Sequence, residues 1–480
     1  MRKKALLVNV DDTIAAVSTP VGEGGIGIVR LSGRKALSIA DRIFVSKNGT
    51  KPSECMTYTV HYGHIMDSRL PAGQAGFRGN DSIVDEVILT VMRAPKSYTK
   101  EDVVEINCHG GVVSLRRVLD LLLSAGARLA GPGEFTKRAF INGRIDLAQA
   151  EAVLDIIKSR TEGSLKVALG HLEGELSRKI TALRDELLDV LSEIEAGIDF
   201  SDEDIEPASG KELYRRLGSA LKEIKDLIDN SWQGMVLKEG ILSVICGKPN
   251  VGKSSLMNAL LRRNRVIVTP SPGTTRDAIE EEINLKGIPV RVVDTAGISR
   301  PKGIAEKHGI KKSKSYINKA DLILFMLDLS RPWTKADSDI LSAIKRKNFI
   351  TIANKSDLKR KLNIHKIRGF PPDGEIIEAS LLRNKNVGHI EEKILRKVWR
   401  GEIMHPEATF ISNLRHKKDL EMAAKSLGRA RGAFKKRQGF TPEIAASNLR
   451  EAVFFLGSIL GDAIEPDILE RVFSKFCVGK

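Results

Sequence analysis

Residues 241–261 read ILSVICGKPNVGKSSLMNALL: an apolar run, a loop carrying two glycines, and a segment of helical spacing. Gly247 to Ser254 fit the pattern G-x-x-x-x-G-K-[ST]. A loop of this kind, closing a strand and opening a helix, turns its backbone N–H groups and the helix N-terminus toward phosphate oxygens. Lys253 adds a point charge between β- and γ-phosphates, and Ser254 offers its hydroxyl to Mg²⁺. Asn250, Val251, Gly252 and Ser255 complete the predicted phosphate cradle.

Working outward, the same reading extends to further strand ends. VRVVDTAG (290–297) is a strand ending in Asp294, with Thr295 and Ala296 leading to Gly297, placed to sense a γ-phosphate. LILFMLDL (322–329) and FITIANKSD (349–357) predict two buried strands, the second ending in Asn354, Lys355, Ser356 and Asp357. A carboxylate at Asp357 can accept from both N1–H and the exocyclic amine of guanine. Adenine has no such donor pair, so the expected ligand is GTP rather than ATP. Asn354 and Lys355 brace the base and the adjoining loop. After the strand EIIEAS (375–380), Ser380, Leu381 and Leu382 stand where a loop can close over the base, with Leu381 where Ala is commoner.

Between the first two motifs lies TPSPGTTRD (269–277). Thr269, Pro270, Ser271, Pro272, Gly273 and Thr274 are expected around the nucleotide, and Thr275 is the natural second hydroxyl ligand for Mg²⁺, ordering the loop when γ-phosphate is bound. Many small GTPases orient the attacking water with a Gln directly after the DxxG glycine; here Ile298 takes that position and cannot. Glu306, in SRPKGIAEKHG (299–309), is a candidate for that task, and an ordinary solvated glutamate is the competing reading. For charge neutralisation, Asn250 with carbonyls of residues 269–274 can hold a monovalent cation such as K⁺ beside the phosphates, doing the work of an arginine finger. Arg276 competes for the same role, and spacing alone does not choose between them.

The bulk numbers fit a large protein with a polyanionic partner. At 480 residues the chain exceeds a single core, and roughly three domains are expected. Its 77 Lys and Arg against 61 Asp and Glu leave a formal charge of +16, which favours RNA over an acidic protein as partner. No apolar run reaches the roughly 18 residues a membrane span needs, and Met1 to Val10 lack the core and cleavage site of a signal peptide, so a cytoplasmic chain is expected. Cys55, Cys108, Cys246 and Cys477 form no C-x-x-C pair, which argues against a zinc site or a disulfide framework.

Pattern changes along the chain predict a multidomain α+β protein. Up to residue 128 strands and helices alternate: IAAVST and GIGIVRLSG as strands, KALSIADRIF as a helix, TYTVHYGHIM and SIVDEVILTVMRA as paired strands, then VVEINCHGG opening VVSLRRVLDLLLSAG. Residues 129–239 carry helical periodicity, interrupted by DFSDEDIEPASGK (199–211). Residues 240–402 form the α/β P-loop (Ras-like) unit, and helical pattern returns over 403–480. One helical domain split by an inserted GTPase explains this; two unrelated helical pieces explain it as well.

With these residues in place, the chain resembles the MnmE (TrmE) family of tRNA uridine-modification GTPases over nearly its whole length. The resemblance rests on DTIAAVSTP, GIGIVRLSG, SYTKEDVVEINCHGG, PGEFTKRAFINGRIDLAQAEA, the GTPase motifs and the terminal FCVGK (476–480). It implies that the N-terminal domain binds a folate one-carbon donor, 5-formyl- or methylene-tetrahydrofolate, and forms a homodimer. The matching folate positions are Arg30, Glu105, Arg144 and Lys480, with Arg144 standing where the family usually has Lys. Glu105 can accept from the pterin edge; without the resemblance, Arg30 and Glu105 read as a surface ion pair on neighbouring strands. The resemblance raises Glu306 to the catalytic carboxylate beside Lys253. It further implies Asn250, Thr269, Ser271 and Thr274 as a potassium site, and activation when two GTPase domains dimerise. Cys477 matches a cysteine of functional importance. The implied partner is an MnmG-type FAD- and NADH-using protein, forming a heterotetramer. Together they install an aminomethyl or carboxymethylaminomethyl group at C5 of the wobble uridine of certain tRNAs. The basic run RARGAFKKR (429–437) can meet RNA phosphate or be a solvated helix face.

Two other function classes compete. A ribosome-assembly GTPase shares the P-loop and switch chemistry, but no GXXG RNA-binding loop follows the GTPase. A non-enzymatic scaffold toggled by nucleotide is the second; Lys253, Thr275 and Asp294 argue for turnover.

Overall fold

The computed structural model describes residues 12–67, 82–199, 210–264, 280–294, 314–363, 376–399, 409–434, 442–462 and 466–480. The chain divides into two compact units, Met1–Leu154 with Phe454–Lys480, and Asp155–Val453.

In the first unit, alternating apolar residues build one sheet. Its strands are β1 (Ile14–Val17), β2 (Gly27–Ser32), β3 (Phe44–Ser46), β4 (Thr59–Asp67), β5 (Ser82–Met92), β6 (Val103–Cys108) and β7 (Arg128–Leu129). They lie in the order β3-β4-β5-β6-β2-β1-β7. All neighbours are antiparallel except β1 and β7. The predicted strand pairs are present. Side chains alternate across a strand, so Val29 and Leu31 of β2 face inward with Val104 and Ile106 of β6. Helices Ala36–Ile43 and Val112–Ser124 cover that face with Ile39, Ala40, Leu115, Val118 and Leu122. The same period sends Arg30 and Glu105, partners in the β2–β6 register, to the other face.

On that other side, Ile14 and Ala16 pack with Ala130 and with Phe135 of the helix Glu134–Ile141. The C-terminal helix Pro466–Phe473 joins this part of the unit, where Phe473 meets Phe140. It brings the terminal pentapeptide with it: Gly133 N–H donates to Cys477 O at 3.3 Å, and Phe135 N–H donates to Lys480 O at 3.2 Å.

In the second unit, helices on both sides of the inserted glycine-loop segment form one discontinuous helical domain. Helix Glu175–Asp199 buries Leu176, Ile180, Leu183, Leu187, Val190 and Ile194, the three- and four-residue spacing that marks a core-facing stripe. Helix Gly210–Asp229 packs against helix Leu414–Ala433 from beyond the insertion. The Arg431 guanidinium lies 4.0 Å over the Tyr214 ring and its Nε donates to Tyr214 O at 3.3 Å. Likewise His171 Nε2 donates to Phe410 O at 2.6 Å. These contacts across the insertion are what distinguish one split domain from two unrelated pieces.

The inserted part carries β8 (Ile241–Cys246), β9 (Glu280–Leu285), β10 (Ile288–Asp294), β11 (Leu322–Asp328), β12 (Phe349–Asn354) and β13 (Ile376–Glu378). Their order is β13-β12-β11-β8-β10-β9. All pairs are parallel except the β9–β10 hairpin. Every residue of β8, β11 and β12 is buried, as expected where helices cover both faces of a parallel sheet. The strand order turns at β8, with β10 on one side and β11 on the other. Ligands of open α/β sheets bind at the carboxyl ends of strands at such a switch point.

Candidate nucleotide-binding site

The carboxyl end of β8 leads into the glycine loop, and the loop opens the helix Lys253–Asn264. The backbone there demands its residue types. Gly247 has φ +151 and Gly252 has φ +105; a Cβ on Gly252 would lie 2.3 Å from Asn354 Nδ2. Asn250 takes the left-handed conformation at φ +64, which Asn tolerates better than most side chains. Lys253 is buried, and its Nζ donates to Gly247 O at 3.0 Å and to Lys248 O at 2.8 Å. Burial pushes its ammonium below the ordinary lysine value, with the Asp294 carboxylate pulling the other way.

Two motifs meet at Ser254, whose Oγ donates to Asp294 Oδ2 at 2.7 Å. A hydroxyl in the first turn of a helix beside a carboxylate at a strand end supplies the hard oxygen donors Mg²⁺ takes, so this pair fits the metal. The other loop end is tied to the predicted base site: Asn354 Nδ2 donates to Val251 O at 2.9 Å, while its Oδ1 accepts from Leu381 N–H at 3.2 Å. Asn354 thereby connects the phosphate loop, β12 and the loop after β13. Ser380 Oγ donates to Asp357 Oδ1 at 2.6 Å, and this bond holds the Asp357 carboxyl below its ordinary value. One Asp357 oxygen is therefore oriented by Ser380. Leu382 is 89% exposed beside that loop, whereas Leu381 packs against the core. Among the described residues Ser356 Oγ has no hydrogen-bond partner.

Asp328 was not legible as a site residue. It ends β11, and its Oδ2 accepts from Lys355 Nζ at 2.6 Å while Ser330 N–H and Oγ donate to Oδ1. Burial opposes its charge, but these donors outweigh it and hold the carboxyl below the ordinary aspartate value. Lys355 sits at φ +65, so the ion pair fixes both its side chain and a sparsely populated backbone. The only sequence signal was an acidic residue closing a wholly apolar strand.

Thr269, Pro270, Ser271, Pro272, Gly273, Thr274, Thr275, Arg276, Thr295, Ala296, Gly297, Ile298 and Glu306 lie outside the described residues, as do residues 435–437 of the basic run.

In the first unit the four expected folate positions converge. Arg30 Nε donates to Glu105 Oε1 at 2.7 Å, and Arg30 Nη1 reaches Gly479 O at 3.3 Å. The Arg30 guanidinium lies 5.5 Å from the ring centres of both Tyr98 and Phe135. Arg144 stacks on the same Tyr98 ring at 4.9 Å and donates to Tyr98 O at 3.2 Å. Lys480 is joined to this cluster through its carbonyl on Phe135 N–H. Tyr98, Phe135 and Gly479 were not singled out from sequence; the quoted segments SYTKED and PGEFTKR contain the two aromatic residues. Beneath them, Arg138 is 3% exposed and bonds Asp12, Glu101 and Glu134 together. Cys477 is exposed; the other cysteines are buried, and burial pushes the Cys246 thiol up to about 12.

Comparison with known proteins gives the family. A family model described as the GTP-binding protein TrmE N-terminus matches residues 13–144, and one described as the MnmE helical domain matches residues 147–477. A tRNA modification GTPase MnmE of Alkaliphilus metalliredigens is 45% identical over 98% of this chain and 100% of its own length. The MnmE of Clostridioides difficile is 45% identical over 98% and 100%, and that of Geobacillus thermodenitrificans 44% over 98% and 99%. A solved structure of Era with MgGDPNP and a segment of 16S ribosomal RNA is 29% identical, covering 42% of this chain and 69% of that one, with a TM-score of 0.28. Two family models that together span the chain, and relatives matched end to end, give one conclusion: the chain belongs to the MnmE (TrmE) family of tRNA modification GTPases.

Proposed function

We propose that this chain hydrolyses GTP to drive wobble-uridine modification of tRNA, working with an MnmG-type flavoprotein. The observation that carries the GTPase reading is the bonded chain Val251–Asn354–Leu381 together with Ser254–Asp294, which ties the phosphate loop to both the base site and the metal site. In this reading the loop amides and Lys253 hold the β- and γ-phosphates, and Asp357 reads the guanine edge. Ser254 and Thr275 ligate Mg²⁺, which offsets phosphate charge. Asn250 with Thr269, Ser271 and Thr274 holds K⁺. Glu306 orients the attacking water, and pairing of two GTPase domains completes the site. Nucleotide contacts from Asn250 to Ser255, at residues 269–274 and 294–297, and around Asn354–Asp357 and Ser380–Leu382 belong to the same proposal.

The first unit supports a folate reading. A guanidinium close to two aromatic rings, a carboxylate bonded to it and a second arginine on Tyr98 suit a flat heteroaromatic ring with an anionic tail. Arg30, Glu105, Arg144 and Lys480 would hold 5-formyl- or methylene-tetrahydrofolate, which supplies the carbon unit. Hydride handling belongs to the partner's FAD. Homodimerisation through this domain, a cytoplasmic location and domain limits at 1–128, 129–239, 240–402 and 403–480 belong to the same proposal. Among the described residues no helix is long and apolar enough to cross a membrane.

Mass analysis of wobble uridine in cells lacking the protein, rescued with wild type or with Glu306→Ala, tests the assignment. Wild type restores the modified nucleoside and Glu306→Ala does not; modification unchanged by loss of the gene overturns the tRNA reading. Hydrolysis measured in K⁺ against Na⁺ tests the cation, and equal rates reject it.

A further inference from the structure

The second residue of the glycine loop, Lys248, falls in a variable position of the motif, yet its side chain is anchored at two points. Its Nζ lies 2.6 Å from Asp337 Oδ2 and donates to Thr334 Oγ1 at 3.1 Å. The lysine side chain is 18% exposed and the aspartate 4%. Asp337 belongs to the first turn of the helix Lys335–Ile344, where its Oδ2 also accepts from Thr334 N–H and Oγ1, each at 2.9 Å. That helix begins shortly after β11, and Leu341 and Ile344 root it in the core with Phe325, Leu327 and Phe349. Lys248 is therefore fastened to a rigid element outside the loop.

The other end of the same residue serves the site. Lys248 O is one of the two carbonyls that accept from Lys253 Nζ. Holding the Lys248 side chain outward fixes the peptide that positions the Lys253 ammonium, and Asn250 and Gly252 follow within a few residues at positive φ. Asn250 is the non-glycine among them, and a loop keeps such a sparsely populated conformation only where its surroundings over-determine it.

We propose that Lys248 and Asp337 are positioning residues for GTP: their ion pair locks the glycine loop in its phosphate-binding shape. This rests on the phosphate placement given under the proposed function. Loss of the pair loosens the loop amides and the Lys253 ammonium together, so affinity falls for GDP and GTP alike. The buried Asp337 carboxylate also loses its partner cation, which is why deleting one partner costs more than deleting both.

The test uses the full chain and compares Lys248→Met, Asp337→Asn, the double variant, Lys248→Arg and Lys253→Ala. Active-site titration with labelled GDP gives the folded, competent fraction; Kd and the kcat and KM for GTP are then taken per competent site. Lys248→Met and Asp337→Asn each raise Kd and KM roughly tenfold, with kcat changed less than about threefold, as expected for loss of one charge-assisted anchor. The double variant is no worse than Lys248→Met, and Lys248→Arg recovers most of the affinity. A reduced competent fraction with an unchanged KM, or additive losses in the double variant, overturns the proposal. Unaltered nucleotide affinity in Lys253→Ala would instead remove the phosphate placement itself.

Discussion

Gly252→Ala is the substitution for which the structure gives the most definite number. Gly252 sits at φ +105, where an L side chain is strained, and the new Cβ would fall 2.3 Å from Asn354 Nδ2. Asn354 must then move, breaking its 2.9 Å bond to Val251 O. The backbone cost is about 1–2 kcal/mol and the lost hydrogen bond about 1 kcal/mol. Together about 2–3 kcal/mol corresponds to about 30- to 150-fold weaker nucleotide binding. Gly428→Ala is the matched control: Gly428 lies in the helix Leu414–Ala433, where an added Cβ meets nothing within 4 Å. That change should stabilise the helical domain by about 0.5–1 kcal/mol and leave GTP affinity alone. Titration of labelled GDP and GTP on both variants measures the difference. Gly252→Ala binding within about threefold of wild type would mean that the loop does not depend on Gly252 and the Asn354 bond, because strain and a broken bond at that position cannot sum to so little.

Ser254→Ala removes the hydroxyl bonded to Asp294, so Mg²⁺-dependent hydrolysis should fall at least roughly tenfold while GDP binding in EDTA stays near wild type; steady-state rates across a Mg²⁺ titration check it. Burial holds His171 below its ordinary value, so the unfolded chain takes up the extra proton first: stability is complete above about pH 6.5 and declines as pH falls toward the folded value. The urea midpoint of the helical domain should show this slope, at most about 1.4 kcal/mol per pH unit, and His171→Gln should remove it. Glu105→Gln should weaken 5-formyltetrahydrofolate in calorimetry without altering GTP turnover, since the Arg30–Glu105 pair lies in the sheet of the first unit.

Local pattern carried far into this fold because each feature depended on neighbours in sequence. The glycine loop, the wholly apolar β11 and β12 and the alternating β2 and β6 are properties of consecutive residues, and they stand where the spacing put them. What sequence left hidden depends on residues far apart. Nothing local in RAFI shows that Arg138 gathers three carboxylates, and nothing in FCVGK shows that Gly479 O will meet Arg30. The Lys248–Asp337 pair is separated by most of the GTPase fold, and Asp328 reaches Lys355 only because β11 and β12 run in parallel side by side. The joining of helices across the insertion was open for the same reason: periodicity names a buried face but not the helix that covers it.

The proposed pocket holds a triphosphate and selects guanine by a carboxylate. Competition of unlabelled GTP, ATP and xanthosine triphosphate against labelled GDP, on wild type and Asp357→Asn, measures it directly. GTP should displace the label at least roughly a hundredfold better than ATP on wild type, and Asp357→Asn should shift preference toward xanthosine triphosphate. ATP competing as well as GTP on the wild-type chain would exclude a guanine-selecting pocket.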